Sequence, residues 1–201
     1  SSDREVNNYE NYCARLNDLE NPWRLTRNNE HDYVQSISPD RTKILSTREK
    51  HGKRDEKSEI LVSDGNTENI ILEGSVNSNS VQAWSPDGKR IVYTSNKNGS
   101  LGIYTAAPDG KNEKRLTNGR AAVWSPYSTK DGIAFVDNGV IYTLNPGTGK
   151  ATRLTGEGEY ILPTWVGKNL IAVSKVLPYT AGCLFLIDTM TGKETQLTYP
   201  S

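Results

Sequence analysis

Apolar residues in this chain come in short runs rich in branched and aromatic side chains, separated by Gly, Pro, Asn and Asp. Ile60-Leu61-Val62, Ile91-Val92-Tyr93, Ile133-Ala134-Phe135-Val136 and Leu170-Ile171-Ala172-Val173 are examples. Short runs bounded by turn formers predict a turn-rich, all-β chain.

The runs recur with a fixed spacing, which is the signature of a repeat architecture. Residues 103–117 (IYTAAPDGKNEKRLT), 141–155 (IYTLNPGTGKATRLT), 184–198 (LFLIDTMTGKETQLT) and 12–26 (YCARLNDLENPWRLT) are each 15 residues long and align without a gap. Residues 60–73 (ILVSDGNTENIILE) fit with one residue fewer in the turn. Each copy reads as a hairpin: an apolar run, a Gly/Asp/Asn/Pro turn, then a short polar strand. Gly supplies the positive φ such turns require, and Pro presets φ at the turn entry.

A second element lies ahead of the hairpins. Ala83-Trp84-Ser85-Pro86-Asp87-Gly88 leading to Ile91-Val92-Tyr93 is its clearest copy, and Ser36-Ile37-Ser38-Pro39-Asp40-Arg41 leading to Ile44-Leu45 repeats it with Ile for Trp. Trp124 leads to 132–135 and Trp165 to 170–173 in the same way. Trp84 and Trp124 are 40 positions apart and Trp124 and Trp165 are 41; Ile37 and Trp84 are 47 apart, the excess falling in the charged loop 50–57. The unit is therefore four antiparallel strands. One such sheet cannot bury both faces, and radial stacking of several sheets solves this. The expected fold is an all-β β-propeller of four-stranded antiparallel blades, a single domain over 1–201. It has an N-terminal half-blade (about 1–26) and four complete repeats (27–73, 74–117, 118–155 and 156–201).

Charge narrows the partners. The 24 basic and 24 acidic residues balance, so nothing resembles the basic surface that attracts nucleic-acid phosphate. No apolar stretch is long enough for a membrane helix. The hydrophobic content of 34% is low, but patterned runs argue for a folded chain. Residues 1–10 are polar and contain no signal-peptide apolar segment.

The segment 84–117, WSPDGKRIVYTSNKNGSLGIYTAAPDGKNEKRLT, closely resembles the WD40-like, or PD40, repeat of TolB-type β-propellers. Four copies cover about 27–201 and a partial copy covers 1–26; the Trp165 copy lacks the Ser-Pro-Asp-Gly turn. The resemblance implies a propeller that serves as a protein-interaction platform, a ligand binder, or an accessory domain of peptidases and lyases. It also implies a periplasmic or secreted location. Ser2-Asp3-Arg4-Glu5 aligns with Thr94-Ser95-Asn96-Lys97 at the end of a second strand, so the first two strands of that unit are absent. Two readings stay open: a five-bladed ring with one partial blade, or a fragment of a larger propeller.

Candidate chemistry is sparse. Asp40 and Asp87 are expected to accept hydrogen bonds from their own turns. Trp84, Trp124 and Trp165 share one place in the repeat and are expected in the core between blades; Trp23 lies off that register and is a candidate surface aromatic. His31 and His51 are the only histidines. His31, just before an inner strand, is the best single polar candidate for a ligand, with a solvated loop histidine as the alternative. His51 belongs to the mixed-charge loop 50–57, a candidate partner contact. Cys13 and Cys183 are expected too far apart for a disulfide. There is no Gly-x-Ser-x-Gly elbow and no phosphate loop, so no catalytic residue and no metal ligand is assigned.

The expected function is a non-catalytic scaffold that binds a protein partner, a small ligand or an oligosaccharide. Its surface would be the loops joining each outer strand to the next inner strand, at 28–33, 77–80, 118–120 and 157–160. His31, Asp32, Tyr33, Asn79, Arg120 and Tyr160 are the candidate ligand-binding residues. The alternative is the propeller domain of a larger enzyme, an S9-type peptidase or an oligosaccharide lyase. No cofactor is expected; a structural calcium in the channel is a third reading.

Overall fold

A computed structural model describes residues 11–15, 18–26, 30–49, 58–73, 82–124, 132–177 and 182–199. These form 18 strands. A two-stranded hairpin comes first: β1 (Tyr12–Arg15) and β2 (Asp18–Arg24). Blade I contains β3 (His31–Ile37), β4 (Ile44–Glu49), β5 (Ser58–Ser63) and β6 (Glu68–Glu73). Blade II contains β7 (Ala83–Trp84), β8 (Ile91–Ser95), β9 (Gly102–Ala106) and β10 (Lys114–Asn118). Blade III contains β11 (Arg120–Trp124), β12 (Ile133–Asp137), β13 (Val140–Leu144) and β14 (Ala151–Arg153). Blade IV contains β15 (Glu159–Gly167), β16 (Leu170–Val176), β17 (Cys183–Asp188) and β18 (Glu194–Gln196). Within each blade the strands pair in sequence order, all antiparallel.

Local chemistry explains the repeated segments. The Thr that ends three hairpins closes them: Thr26, Thr155 and Thr198 each accept on Oγ1 from the backbone N–H of Asn11, Ile141 and Leu184, at 2.9, 3.0 and 2.8 Å. In the Ser-Pro-Asp-Gly turn, the Ser85 hydroxyl donates to Asp87 at 2.6 Å and accepts the Arg90 N–H at 2.9 Å. Ser38 and Asp40 repeat this geometry, so both aspartates act as turn acceptors, as expected. Gly88 has φ +68°, and Arg41 holds φ +62° in the equivalent place.

The core lies between blades. Leu45, Ile60 and Val62 of blade I meet Trp84, Ile91, Tyr93 and Tyr104 of blade II. Val92 and Ile103 of blade II meet Trp124, Ile133, Phe135 and Leu144 of blade III. Ala134, Val136 and Ile141 of blade III meet Trp165, Ile171, Val173 and Phe185 of blade IV. Trp84, Trp124 and Trp165 thus pack between blades, and burying such side chains stabilises by about 1.5–3 kcal/mol apiece. Turn glycines lie against the blade before them: a Cβ at Gly110 would sit 3.3 Å from Ile71 O, and one at Gly192 3.4 Å from Leu154 O. A Cβ at Gly65 would sit 3.5 Å from Leu25 Cδ2 in the same sense, which sets the hairpin in the place of a blade preceding blade I. Cys13 and Cys183 are not joined in a disulfide.

Candidate functional site

The inner strands β3, β7, β11 and β15 define two ends. Their starts form one rim, and the turns that follow them form the other.

At the first rim, blades II, III and IV enclose a recess of about 600 Å³. Its polar lining includes Asn118, Arg120, Asp137 and Glu159, and Leu101 and Ile161 add apolar surface. Two glycines shape it. Gly119 is the single residue between β10 and β11; its φ is +127°, and a Cβ there would lie 2.7 Å from the Phe135 ring. That close approach turns the chain directly into the next blade and presents Arg120, exposed, beside Val136. Asn138-Gly139 is a two-residue hairpin turn with φ +46° and +76° at its centre, of the kind that matches strand twist. Gly139 O accepts the Tyr160 N–H at 2.9 Å, which ties the blade III turn to the start of β15. Arg115 braces the blade II side, donating to Ser100 at 3.0 Å and to Asn118 at 2.7 Å.

The residues singled out from sequence separate into two groups. Arg120 lies in the recess, and Glu159 and Ile161 bring the start of β15 to it. His31, Asp32 and Tyr33 belong to blade I, outside the recess; the His31 and Tyr33 rings are 6.5 Å apart and tilted. Asn79, His51 and Ser2-Asp3-Arg4-Glu5 lie outside the described residues, as do 28, 29 and 77–80. Asp32 and Tyr160 point into the blades, buried to 2% and 1% exposure.

Those two buried residues anchor a polar clamp that sequence reasoning missed. Asp32 is opposite Arg48 on β4, and Arg48 Nε donates to it at 2.8 Å. The same guanidinium donates to both carboxylate oxygens of Glu68 at the start of β6, at 2.8 and 2.9 Å. Burial disfavours the Arg48 cation, but hydrogen bonds to Glu68 and then Asp32 outweigh it and hold its pKa above the usual arginine value. Blade IV repeats the arrangement with other chemistry. Tyr160 is opposite Lys175, whose Nζ donates to Tyr160 Oη at 2.5 Å and to Glu194 at 3.2 Å. Tyr160 Oη in turn donates to Glu194 at 2.7 Å. In blade II, Glu113 accepts from Tyr93 and pairs with Lys97. Blade III lacks both partners: Asp137 stands at the position of the cation and Ala151 at that of the glutamate. The one signal in the sequence is this joint replacement.

At the opposite rim, a cavity of about 380 Å³ runs between the ends of all four inner strands. Trp84, Trp124 and Trp165 line it together with Ser36 and Ile37. Among the described residues, no group of three or more His, Cys, Asp and Glu side chains could hold a metal ion, and no helix is long and apolar enough to cross a membrane.

Consecutive four-stranded antiparallel sheets, packed face to face with their inner strands around shared cavities, define a β-propeller. No family model matches the chain. It is 32% identical over 120 residues to a Protein TolB homolog of Chlorobium chlorochromatii, a match covering 57% of this chain and 27% of that protein. It is 33% identical over 107 residues to the Tol-Pal system protein TolB of Francisella tularensis subsp. tularensis, covering 48% and 25%. The crystal structure of TolB from Acinetobacter baumannii superposes with a TM-score of 0.69 at 27% identity, covering 92% of this chain and 47% of that one. The chain is a TolB-like β-propeller, built of the repeat read from its sequence. It spans about a quarter of the length of the curated relatives it matches. Puromycin hydrolase superposes with a TM-score of 0.69 at 19% identity, over 89% of this chain and 30% of that one, a likeness of fold alone.

Proposed function

We propose that this propeller scaffold binds a protein partner on the rim where the inner strands begin, and that it does so without catalysis of its own. The observation that carries this reading is the 600 Å³ recess, whose polar groups come from three consecutive blades, the blade III turn being hydrogen-bonded to the start of β15. Arg120, Asp137 and Glu159 offer both signs of charge on a rigid frame, and Leu101 and Ile161 offer apolar anchorage beside them. Such a mixed, preformed surface binds at low ordering cost. The relatives named for the Tol-Pal system point to a partner within an assembly of that type and to a periplasmic setting.

The test is a pull-down with two baits. One carries Arg120→Glu with Glu159→Lys; the other carries Lys43→Glu with Lys89→Glu, on the opposite rim. Loss of the captured partner with the first bait alone supports the reading, and equal effects contradict it.

A second reading has one observation behind it, the fold shared with puromycin hydrolase. As the propeller of a larger peptidase, the same rim would contact peptide substrate. A Gly-x-Ser-x-Gly domain on the same natural polypeptide would favour that reading.

A further inference from the structure

The rim recess lacks a cation that the other blades supply for themselves. Register places Arg48, Asp137 and Lys175 at one position near the end of β4, β12 and β16. Arg48 is held there by Asp32 and Glu68, and Lys175 by Tyr160 and Glu194. Blade II reaches the same end with Lys97, two residues past β8, paired with Glu113. Blade III has none of these groups. Gly119, one place before Arg120, stands where Asp32 and Tyr160 stand in their strands. Ala151 stands where Glu68 and Glu194 do. The cation's position holds a carboxylate instead.

That carboxylate is accessible. Asp137 is partly exposed and lines the recess, and the exposed Glu159 lines it too. The two come from adjoining segments. A Cβ at Gly139, two residues past Asp137, would sit 3.3 Å from the Glu159 Cα, and Gly139 O accepts the Tyr160 N–H at 2.9 Å. Among the described residues neither carboxylate enters an ion pair. Arg120 is exposed on the same lining and enters none either. Asp137 and Glu159 against Arg120 leave the recess with an excess of negative charge.

The lining selects the class of guest. Calcium takes about six to eight oxygens, and among the described residues no group of three or more His, Cys, Asp and Glu could hold a metal. A long basic side chain matches at both ends. Its methylene stem packs along apolar surface while its head stays polar, and the recess is lined by Leu101 and Ile161 as well as by the two carboxylates. Charges across an interface are arranged in complementary pairs, so the excess of carboxylate selects a positive group on the partner.

Building on the reading of this rim as the partner surface, we infer that the partner inserts a lysine or arginine side chain into the recess. Its charge pairs there with Asp137 and Glu159, the role that Arg48 and Lys175 fill from within blades I and IV.

The test uses the whole chain labelled with ¹⁵N and acetyl-tetra-arginine-amide, with acetyl-tetraglutamate-amide as the parallel probe. The expected result is saturable movement of the Gly119, Asn138 and Gly139 amide signals with the arginine peptide alone. Asp137→Asn, close in shape to the native residue, should weaken that binding about threefold to fivefold, the scale of one partly exposed ion pair. Asp137→Lys, which supplies the cation from within the chain, should abolish it. Asp109→Lys, in an exposed turn of blade II, should leave it unaltered, which excludes a general charge effect. No movement, movement with the glutamate peptide, or equal effects of Asp109→Lys and Asp137→Lys overturns the inference. Failure here is separable from failure of the rim reading. A pull-down that loses the partner with Arg120→Glu and Glu159→Lys, yet keeps it with Asp137→Lys, upholds the rim and overturns the basic side chain.

Discussion

Arg48 donates two parallel hydrogen bonds to Glu68 across blade I, at 2.8 and 2.9 Å, while its Nε is held by Asp32 on the other side. The pair joins the innermost strand of the blade to the outermost through one planar cation. Asp32 has a side-chain exposure of 0%, so removing that cation would break a buried ion pair. Replacing Arg48 with Met should therefore destabilise the chain by about 3–5 kcal/mol, the cost of breaking a buried pair. Glu68→Gln, at the half-exposed end, should cost about 1 kcal/mol. Urea unfolding of the two variants measures both, and equal effects would contradict the asymmetry.

Blade III permits the converse experiment. Asp137→Lys with Ala151→Glu places a cation and a carboxylate where blades I and IV hold theirs. A double-mutant cycle should show a favourable coupling of about 0.5–1 kcal/mol, as for a partly exposed pair. A coupling near zero would mean that the clamp needs its inner-strand partner, Asp32 or Tyr160.

Turn carboxylates set the response to acid. The Ser38 hydroxyl, followed by the Thr42 backbone N–H and hydroxyl, lowers the Asp40 pKa from 3.8 to about 2. Asp87 is lowered by the Ser85 hydroxyl and then the Lys89 N–H. Asp64, Asp109 and Asp188 are lowered chiefly by backbone N–H groups of their own turns. A folded pKa below the unfolded one adds stability above the unfolded value, and that stability is lost as pH falls through the folded value. Denaturation midpoints should therefore be flat above pH of about 4 and drop between about 4 and 2. Asp40→Asn with Asp87→Asn should flatten that drop.

Gly139 couples the recess to the fold. Its φ is +76°, and a Cβ there would meet Gly158 O at 2.3 Å. Gly139→Ala should cost roughly 2–4 kcal/mol, combining left-handed strain with overpacking. Gly99→Ala is the control, with φ +83° and nothing within 4 Å of the added carbon. It should cost only about 1 kcal/mol. Thermal unfolding of the pair distinguishes a tight inter-blade contact from a merely strained turn.

Blades were legible in the sequence because their chemistry is local. Ser85, Asp87 and Gly88 form a turn by contacts within five residues, and Thr155 closes a hairpin that is itself contiguous. Trp124 repeats at the blade period, so its burial followed from spacing. The clamp was hidden for the opposite reason. Tyr160 and Glu194 are 34 positions apart, and blade I uses Asp32 and Arg48 where blade IV uses Tyr160 and Lys175, so only the glutamate repeats in kind. Asp32 and Tyr160 were singled out for their place at a strand start, and their inward direction depends on pairing with Arg48 and Lys175. Arg120 faces outward because Gly119 alone links two blades, a close approach that shows only in three dimensions.

The central claim is that the partner binds at the rim where the inner strands begin. Amide hydrogen exchange of the chain, free and in complex with the captured partner, tests it most directly. The account predicts added protection at 118–120, 137–139 and 157–161, with 40–43 and 85–90 unchanged. Protection confined to 40–43 and 85–90 would contradict it.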